Sequence, residues 1–204
     1  SSAAAVALAL MSGTGVAGGI SNSGSILATN LRDLAGQTGS SPSMSPFSVE
    51  AVGVYNAGTI TGSLANNSSG VISATATARV SDADVTITYS AGSNAALAVG
   101  VLNDGTITTD LFNSGSISAN ATATVEDVTV DYMSASGSFS MNGLSASAAG
   151  IRNLGSVNGN LDNRGSITAT ATTLVSNFDI DAISFATNGF ILATAQADAY
   201  GVDN

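Results

Sequence analysis

From Ile117 the chain alternates without a break: Ile117, Ala119, Ala121, Ala123 and Val125 are apolar, with Ser118, Asn120, Thr122 and Thr124 between them. A period of two over this length predicts a β-strand with one buried face. The same pattern runs from Ile72 to Val80 and from Ile167 to Val175. A second alternating run places Val128, Val130 and Tyr132 inward and Asp127, Thr129 and Asp131 outward, and a third passes through Ala146 and Ala148. No segment has helical periodicity, β-branched residues abound, and proline is confined to Pro42 and Pro46. The pattern predicts an all-β chain.

The strands recur with their surroundings. GVYNAGTITGSL from Gly53, GVLNDGTITTDL from Gly100 and GIRNLGSVNGNL from Gly150 are versions of one phrase, preceded by GISNSGSI at Gly19 and followed by GVDN at Gly201. The leading glycines are 34, 47, 50 and 51 residues apart. The units are thus 19–52, 53–99, 100–149 and 150–200, with part of a repeat in 1–18 and the opening of another in 201–204. Such a period in a strand-rich chain predicts a parallel β-solenoid, one continuous body whose successive coils pair at about 4.8 Å. Neither end carries an evident polar cap, so the chain reads as an excerpt from a longer array. The first unit is short and holds the Ser/Pro/Gly segment 36–46, which predicts an irregular repeat with a trimmed wall. Pattern admits one wide coil per repeat or two coils of roughly 20–30 residues; two wall lengths per unit favour the single wide coil.

Each phrase sets two corner asparagines ten residues apart, most of them in Asn-x-Gly triplets: Asn56 with Gly58 and then Asn66; Asn103 with Gly105 and then Asn113 with Gly115; Asn153 with Gly155 and then Asn163 with Gly165. Both residue types tolerate left-handed backbone, so these triplets predict corners. Stacked asparagines can also bond to their copies above and below, as amide ladders. The stretch Asn66–Gly70 is two residues longer than its counterparts, an insertion that a surface corner accommodates.

Composition narrows the chemistry. Apolar residues make up 44% of the chain but aromatics only 5%, so the core must be thin and rich in alanine. All four basic residues are arginines (Arg32, Arg79, Arg152 and Arg164), and the net charge is −10, which excludes binding to nucleic acid or to anionic membrane through a basic patch. No run of apolar residues is long enough for a transmembrane helix. The absence of His, Cys and Lys removes the usual general bases, thiol nucleophiles and Schiff-base groups. A two-carboxylate glycosidase needs a cleft of unrepeated carboxylates with aromatic or basic sugar contacts, and the sequence displays no such concentration, so no enzyme is expected.

Candidate ligand chemistry therefore lies in outward columns. Aligning the repeats brings together Asp82 with Asp127 and Asn177, Asp84 with Thr129 and Asp179, and Thr86 with Asp131 and Asp181. Clustered carboxylates suit Ca2+, making Asp82, Asp84, Asp127, Asp131, Asp179 and Asp181 the metal candidates; a solvated acidic face that prevents lateral sticking is the alternative. The calcium-solenoid signature G-G-x-G-x-D is missing. The columns Thr77–Thr122–Thr172 and Thr75–Asn120–Thr170 resemble a T-x-T ice-binding rank, yet Asn120 interrupts them and Arg79 and Leu174 flank them, so exposed strand threonines suffice. Arg152 and Arg164 form no ladder. An isolated surface charge, or pairing of an arginine with Asp162 or with a neighbouring molecule, accounts for them.

The phrases NAGTITG, NDGTITT, NSGSISA and NRGSITA resemble the repeats of bacterial autotransporter passengers and filamentous-haemagglutinin-like adhesins, over nearly all of the chain outside about 36–48. The resemblance implies a secreted, rod-like β-helical stalk at a Gram-negative cell surface, and it carries over no site residues. The sequence thus predicts a non-catalytic segment of a surface fibre or adhesin stalk. Its expected partners are further copies of the repeat, other fibre subunits or surface glycans. The alternative is a binding solenoid that holds Ca2+ or glycan on its acidic or threonine face.

Overall fold

A computed structural model describes residues 2–36, 38–39, 43–44, 46–85, 89–91, 94–132, 139–141, 143–182, 190–191 and 195–204. Among them every regular element is a strand and every strand pairing is parallel, each strand lying on its own copy one repeat away. The chain is a parallel β-solenoid with one wide coil per repeat. Ile26, Ile72, Ile117 and Ile167 stack in one register column. Leu8, Val54, Val101, Ile151 and Val202 stack in another.

Five sheets outline the coil among the described residues. The long wall is built from Ser25–Ala35, Val71–Val85, Ser116–Tyr132 and Ser166–Ala182. The return wall comprises Ser2–Leu10, Phe47–Asn56, Asn94–Asn103, Leu144–Asn153 and Ala195–Asp203. Two short sheets join them at one end: Gly15–Val16, Thr59–Ile60, Thr106–Ile107 and Ser156–Val157, then Ile20–Asn22, Leu64–Asn66, Leu111–Asn113 and Leu161–Asn163. At the other end stand Ser43–Met44, Tyr89–Ala91, Phe139–Met141 and Phe190–Ile191.

The core has two textures, and residue size decides which goes where. Between the walls, Ala74, Ala76, Ala78 and Val80 oppose Val49, Ala51, Ala96 and Ala98, and the small side chains let the sheets approach. At the cornered end, Val54, Ile60, Leu64 and Ile72 fill a wider, three-sided space, and Val101, Ile107, Leu111 and Ile117 repeat the layer above. A fully buried isoleucine there contributes about 1.5–3 kcal/mol.

Strict alternation cannot turn such a corner, and among the described residues the phase of the inward face changes on both walls. On the return wall the inward series Val49, Ala51 gives way to Val54, Asn56 across Gly53. A Cβ on Gly53 would lie 2.6 Å from the Gly100 carbonyl oxygen and 2.7 Å from Ile72 Cγ2, and Gly100 and Gly150 meet Ile117 and Ile167 in the same way, so these three glycines let the return wall close on the long wall. On the long wall the phase changes at Asp82, Asp127 and Asn177, whose φ angles are 51°, 51° and 49°. Gly36, with φ of 66°, stands at the same place in the first coil, directly after Ala35, which pairs with Ser81. Gly, Asp and Asn are the residues that enter left-handed backbone most readily.

The register corrects the boundaries of the first repeat: Ile20 and Asn22 pair with Leu64 and Asn66, so Gly19 stands at the second corner, while Val6 and Leu8 pair with Val52 and Val54, so Ala7 takes the leading-glycine place. Counted from Ala7 to Val52 the first coil has 46 residues against 47 in 53–99, so it is a nearly full-length coil and not a trimmed one. Its long strand stops at Ala35, and Thr38–Gly39 and Ser43–Met44 rejoin the stack against Asp84–Val85 and Ser90–Ala91. Its inward positions differ too: Asn30 and Arg32 stand where the next coil has Ala76 and Ala78. Asn30 donates to the Glu50 carbonyl at 3.0 Å, and the Arg32 guanidinium lies 5.0 Å from the Phe47 ring centre. Polar side chains therefore cover part of the core at this coil, which the repeat pattern did not announce.

Candidate functional site

The asparagines of the corner phrases point inward. Asn56, Asn66, Asn103 and Asn113 are buried, and each bonds to its copy in the next coil. One ladder runs Asn56 to Asn103 to Asn153 to Asn204, with Nδ2–Oδ1 distances of 2.7, 2.7 and 2.6 Å. The other runs Asn22 to Asn66 to Asn113 to Asn163 at 2.8, 2.8 and 2.7 Å. Every Nδ2 donates toward the later coil, so both ladders have the same polarity. At the first members, Asn56 and Asn22, Oδ1 instead accepts the backbone N–H of Gly58 and Gly24. Asn56 stacks on Leu10, which starts the column.

The corners themselves work differently from the sequence expectation. Neither the ladder asparagines nor Gly58, Gly105, Gly115, Gly155 and Gly165 have positive φ. Glycine is needed because successive corners stack backbone on backbone: a Cβ on Gly105 would overlap Gly58, on Gly155 would overlap Gly105, and on Gly165 would overlap Gly115. Close approach, rather than left-handed backbone, selects these residues.

The acidic columns also take on a different meaning. Asp82 and Asp127 occupy the left-handed column of the long wall, where the backbone accounts for their identity. Asn177 Nδ2 donates to Asp127 Oδ1 at 2.9 Å, an outer counterpart of the inner ladders. Asp84 and Asp179 are exposed and separated by Thr129 in the register column. Asp131 pairs in register with Asp181, but the side chains of both, and Thr86 entirely, lie outside the described residues. Among the described residues no three acidic side chains converge as a metal-binding group. The described acid closest to a cation is instead Glu126, in contact with Arg79, which also reaches Asp33 at 3.7 Å. Ser81, buried at this point of the outer face, donates to Asp33 Oδ1 at 3.0 Å. Three coils are thus clipped together by one arginine.

The threonine columns emerge in register, Thr75–Asn120–Thr170 beside Thr77–Thr122–Thr172, with Ser73–Ser118–Thr168 as a third column. Arg152 pairs with Asp203 of the following coil at 2.8 Å, and Arg164 pairs with Asp162 at 2.9 Å, the latter being one of the partners considered from sequence.

A further group of outward residues that do not repeat lies at the second short sheet. Its outward column reads Ser21, Ala65, Phe112, Asp162. Asp110 enters the same corner and accepts the Asn160 backbone N–H at 2.7 Å. Arg164 leaves it, its guanidinium 5.6 Å from the Phe112 ring centre and its Nε 3.0 Å from Asp162 Oδ2. Together with Ser63 and Ala65 these residues line an open groove of about 400 Å3. Sequence reasoning missed the cluster because its members come from repeats about 50 residues apart. The available signal was that positions 65, 112 and 162 differ while the leucine and asparagine flanking them persist.

Among the described residues no helix is long and apolar enough to cross a membrane. No protein-family model, curated protein or solved structure matches the chain.

Proposed function

We propose that the chain is a non-catalytic structural segment of a repetitive extracellular fibre or adhesin stalk at a bacterial surface, with further copies of the repeat or other fibre subunits as its neighbours. The observation that carries this reading is the pair of asparagine ladders, each bonded through four successive coils with one polarity. A ladder of this kind rewards each added coil with the same set of bonds, so stability grows along the axis as in other solenoids. Each 50-residue coil advances the axis by only about 4.8 Å, while a 17-residue long wall spans on the order of 50 Å. Such a section invests protein in width, and width resists bending. The exterior, acidic overall and rich in Ser, Thr and Asn, keeps the rod hydrated and discourages lateral sticking.

Electron microscopy of the native assembly tests the proposal. Rods or filaments with a flat cross-section and a meridional repeat near 4.8 Å are expected. Discrete compact particles that do not extend along the coil axis would overturn it.

A further inference from the structure

Beyond a structural role, we infer that the groove around Phe112 is a binding site for a neutral saccharide. In a repeat array the stacked positions are explained by stacking, so chemistry that departs from the repeat needs its own reason. Here four departures meet in one place: Asp110, Phe112, Asp162 and Arg164 lie on adjacent coils and border a single groove of about 400 Å3, within the range of small-molecule sites.

The groups are those that a sugar ring requires. Phe112 is half-exposed; the Arg164 guanidinium stands over one face of its ring, and the remaining exposed ring surface is offered to the C–H side of a pyranose. Ala65, next to it in the column, is small and leaves the floor of the groove open. The polar rim presents acceptors and donors in alternation. Asp110 uses Oδ1 on the Asn160 backbone N–H, which leaves Oδ2 for a hydroxyl. Asp162 uses Oδ2 on Arg164, which leaves Oδ1. Arg164, bonded through Nε and Nη2, keeps its Nη1 donors, the Asn160 side chain adds a donor and an acceptor, and Ser63 Oγ, bonded to Thr109 Oγ1 at 2.9 Å, keeps its remaining hydrogen-bonding capacity. Arg164 is largely exposed, and its contacts with Asp162 and the Phe112 ring hold its guanidinium at the groove's rim.

Charge selects among saccharides. Two carboxylates and one guanidinium give the groove a net negative charge, in a protein whose total is −10. Uronic and sialic acids would meet repulsion, whereas uncharged hydroxyls can satisfy both carboxylates. The site differs in place from the threonine and acidic columns of the long wall, which lie on another sheet.

The test is an amide NMR titration of the full chain with maltotriose, cellotriose and mannotriose as neutral probes and trigalacturonate as the anionic one. At least one neutral trisaccharide is expected to shift residues 110–114 and 160–164 saturably, with a dissociation constant of about 1 mM, ordinary for a single small contact. Phe112→Leu keeps apolar volume but removes the ring, and Asp162→Asn keeps shape but releases Arg164; each is expected to weaken binding at least tenfold. No saturable shift with any neutral probe would overturn the inference. So would equal or tighter binding of trigalacturonate, or neutral binding that survives both substitutions unchanged.

Discussion

Removing one rung from an asparagine ladder has a calculable cost, and removing its neighbour as well should add little to it. Asn103 is fully buried, accepts from Asn56 Nδ2 at 2.7 Å and donates to Asn153 Oδ1 at 2.7 Å. Asn103→Leu fills the space but orphans both neighbours. The Asn56 amide is buried, so its unpaired N–H costs about 1–3 kcal/mol. Asn153 is half-exposed and water reaches its oxygen, so its share is smaller. The expected loss is about 2–4 kcal/mol, a large part of the 5–15 kcal/mol typical of folded domains. The double substitution Asn56→Leu/Asn103→Leu removes the orphaned donor as well. It extends upward the arrangement that Leu10 already has beneath Asn56, making Asn153 the first member of its ladder. Asn56→Leu also takes away the acceptor of the buried Gly58 N–H, so the double variant should lie within about 1 kcal/mol of Asn103→Leu alone, well short of the sum of the two single losses. Urea unfolding, with midpoints and slopes compared across the two single variants and the double, reads this directly. Thr122→Ala, on the outer face, serves as the control and should stay within about 0.5 kcal/mol of wild type. If the two leucine substitutions destabilise additively, or if Asn103→Leu behaves like the control, the ladder is not what holds the corner.

Three further outcomes are expected. Asp127→Gly should leave stability unchanged or slightly raised, because Gly36 already fills that place in the first coil, whereas Asp127→Val should lose about 1–2 kcal/mol by forcing a β-branched residue into left-handed backbone; equal effects of the two in urea unfolding would contradict the backbone explanation. Gly100→Ala would place a Cβ 2.5 Å from both the Gly150 carbonyl oxygen and Ile117 Cγ2, and should lose at least the 1–3 kcal/mol typical of overpacking, seen as a lower thermal midpoint. The thermal midpoint should not move between saturating Ca2+ and chelator; a rise of several degrees with Ca2+ would restore the acidic columns, including Asp84, Asp131, Asp179 and Asp181, as a metal site.

Most of the architecture was legible because stacking imposes the same demand on every coil. Ile72, Ile117 and Ile167 share an environment, so the sequence spells it three times, and alternation after each of them marks the wall. The ladders were legible for the same reason, since Asn56, Asn103 and Asn153 recur with unchanged spacing to the next corner. What stayed hidden depends on backbone geometry that side-chain type does not report. Asp82 and Asp127 look like ligands because aspartate is a ligand, yet their column also contains Gly36 and Asn177, and the common property is tolerance of positive φ. The corner glycines were expected to supply that conformation, but their column is defined by carbonyl oxygens pressed against the place a Cβ would take. The groove at Phe112 was hidden for the opposite reason: it is made of exceptions, and only folding brings Asp110 beside Asn160 and Phe112 beside Arg164.

The central claim is that each repeat makes one wide coil in a fixed register, and the chain's lack of cysteine permits a clean test by cross-linking. Ser73 and Ser118 are register partners with their Oγ atoms 3.0 Å apart, on strands separated by the spacing of about 4.8 Å that a disulfide can bridge. Ser73→Cys/Ser118→Cys should oxidise quantitatively in the folded state, closing a 45-residue loop, while Ser73→Cys/Thr122→Cys, two inward-outward steps out of register, should remain reduced under the same conditions. Oxidation of the second pair in preference to the first, or of neither, would contradict one coil per repeat.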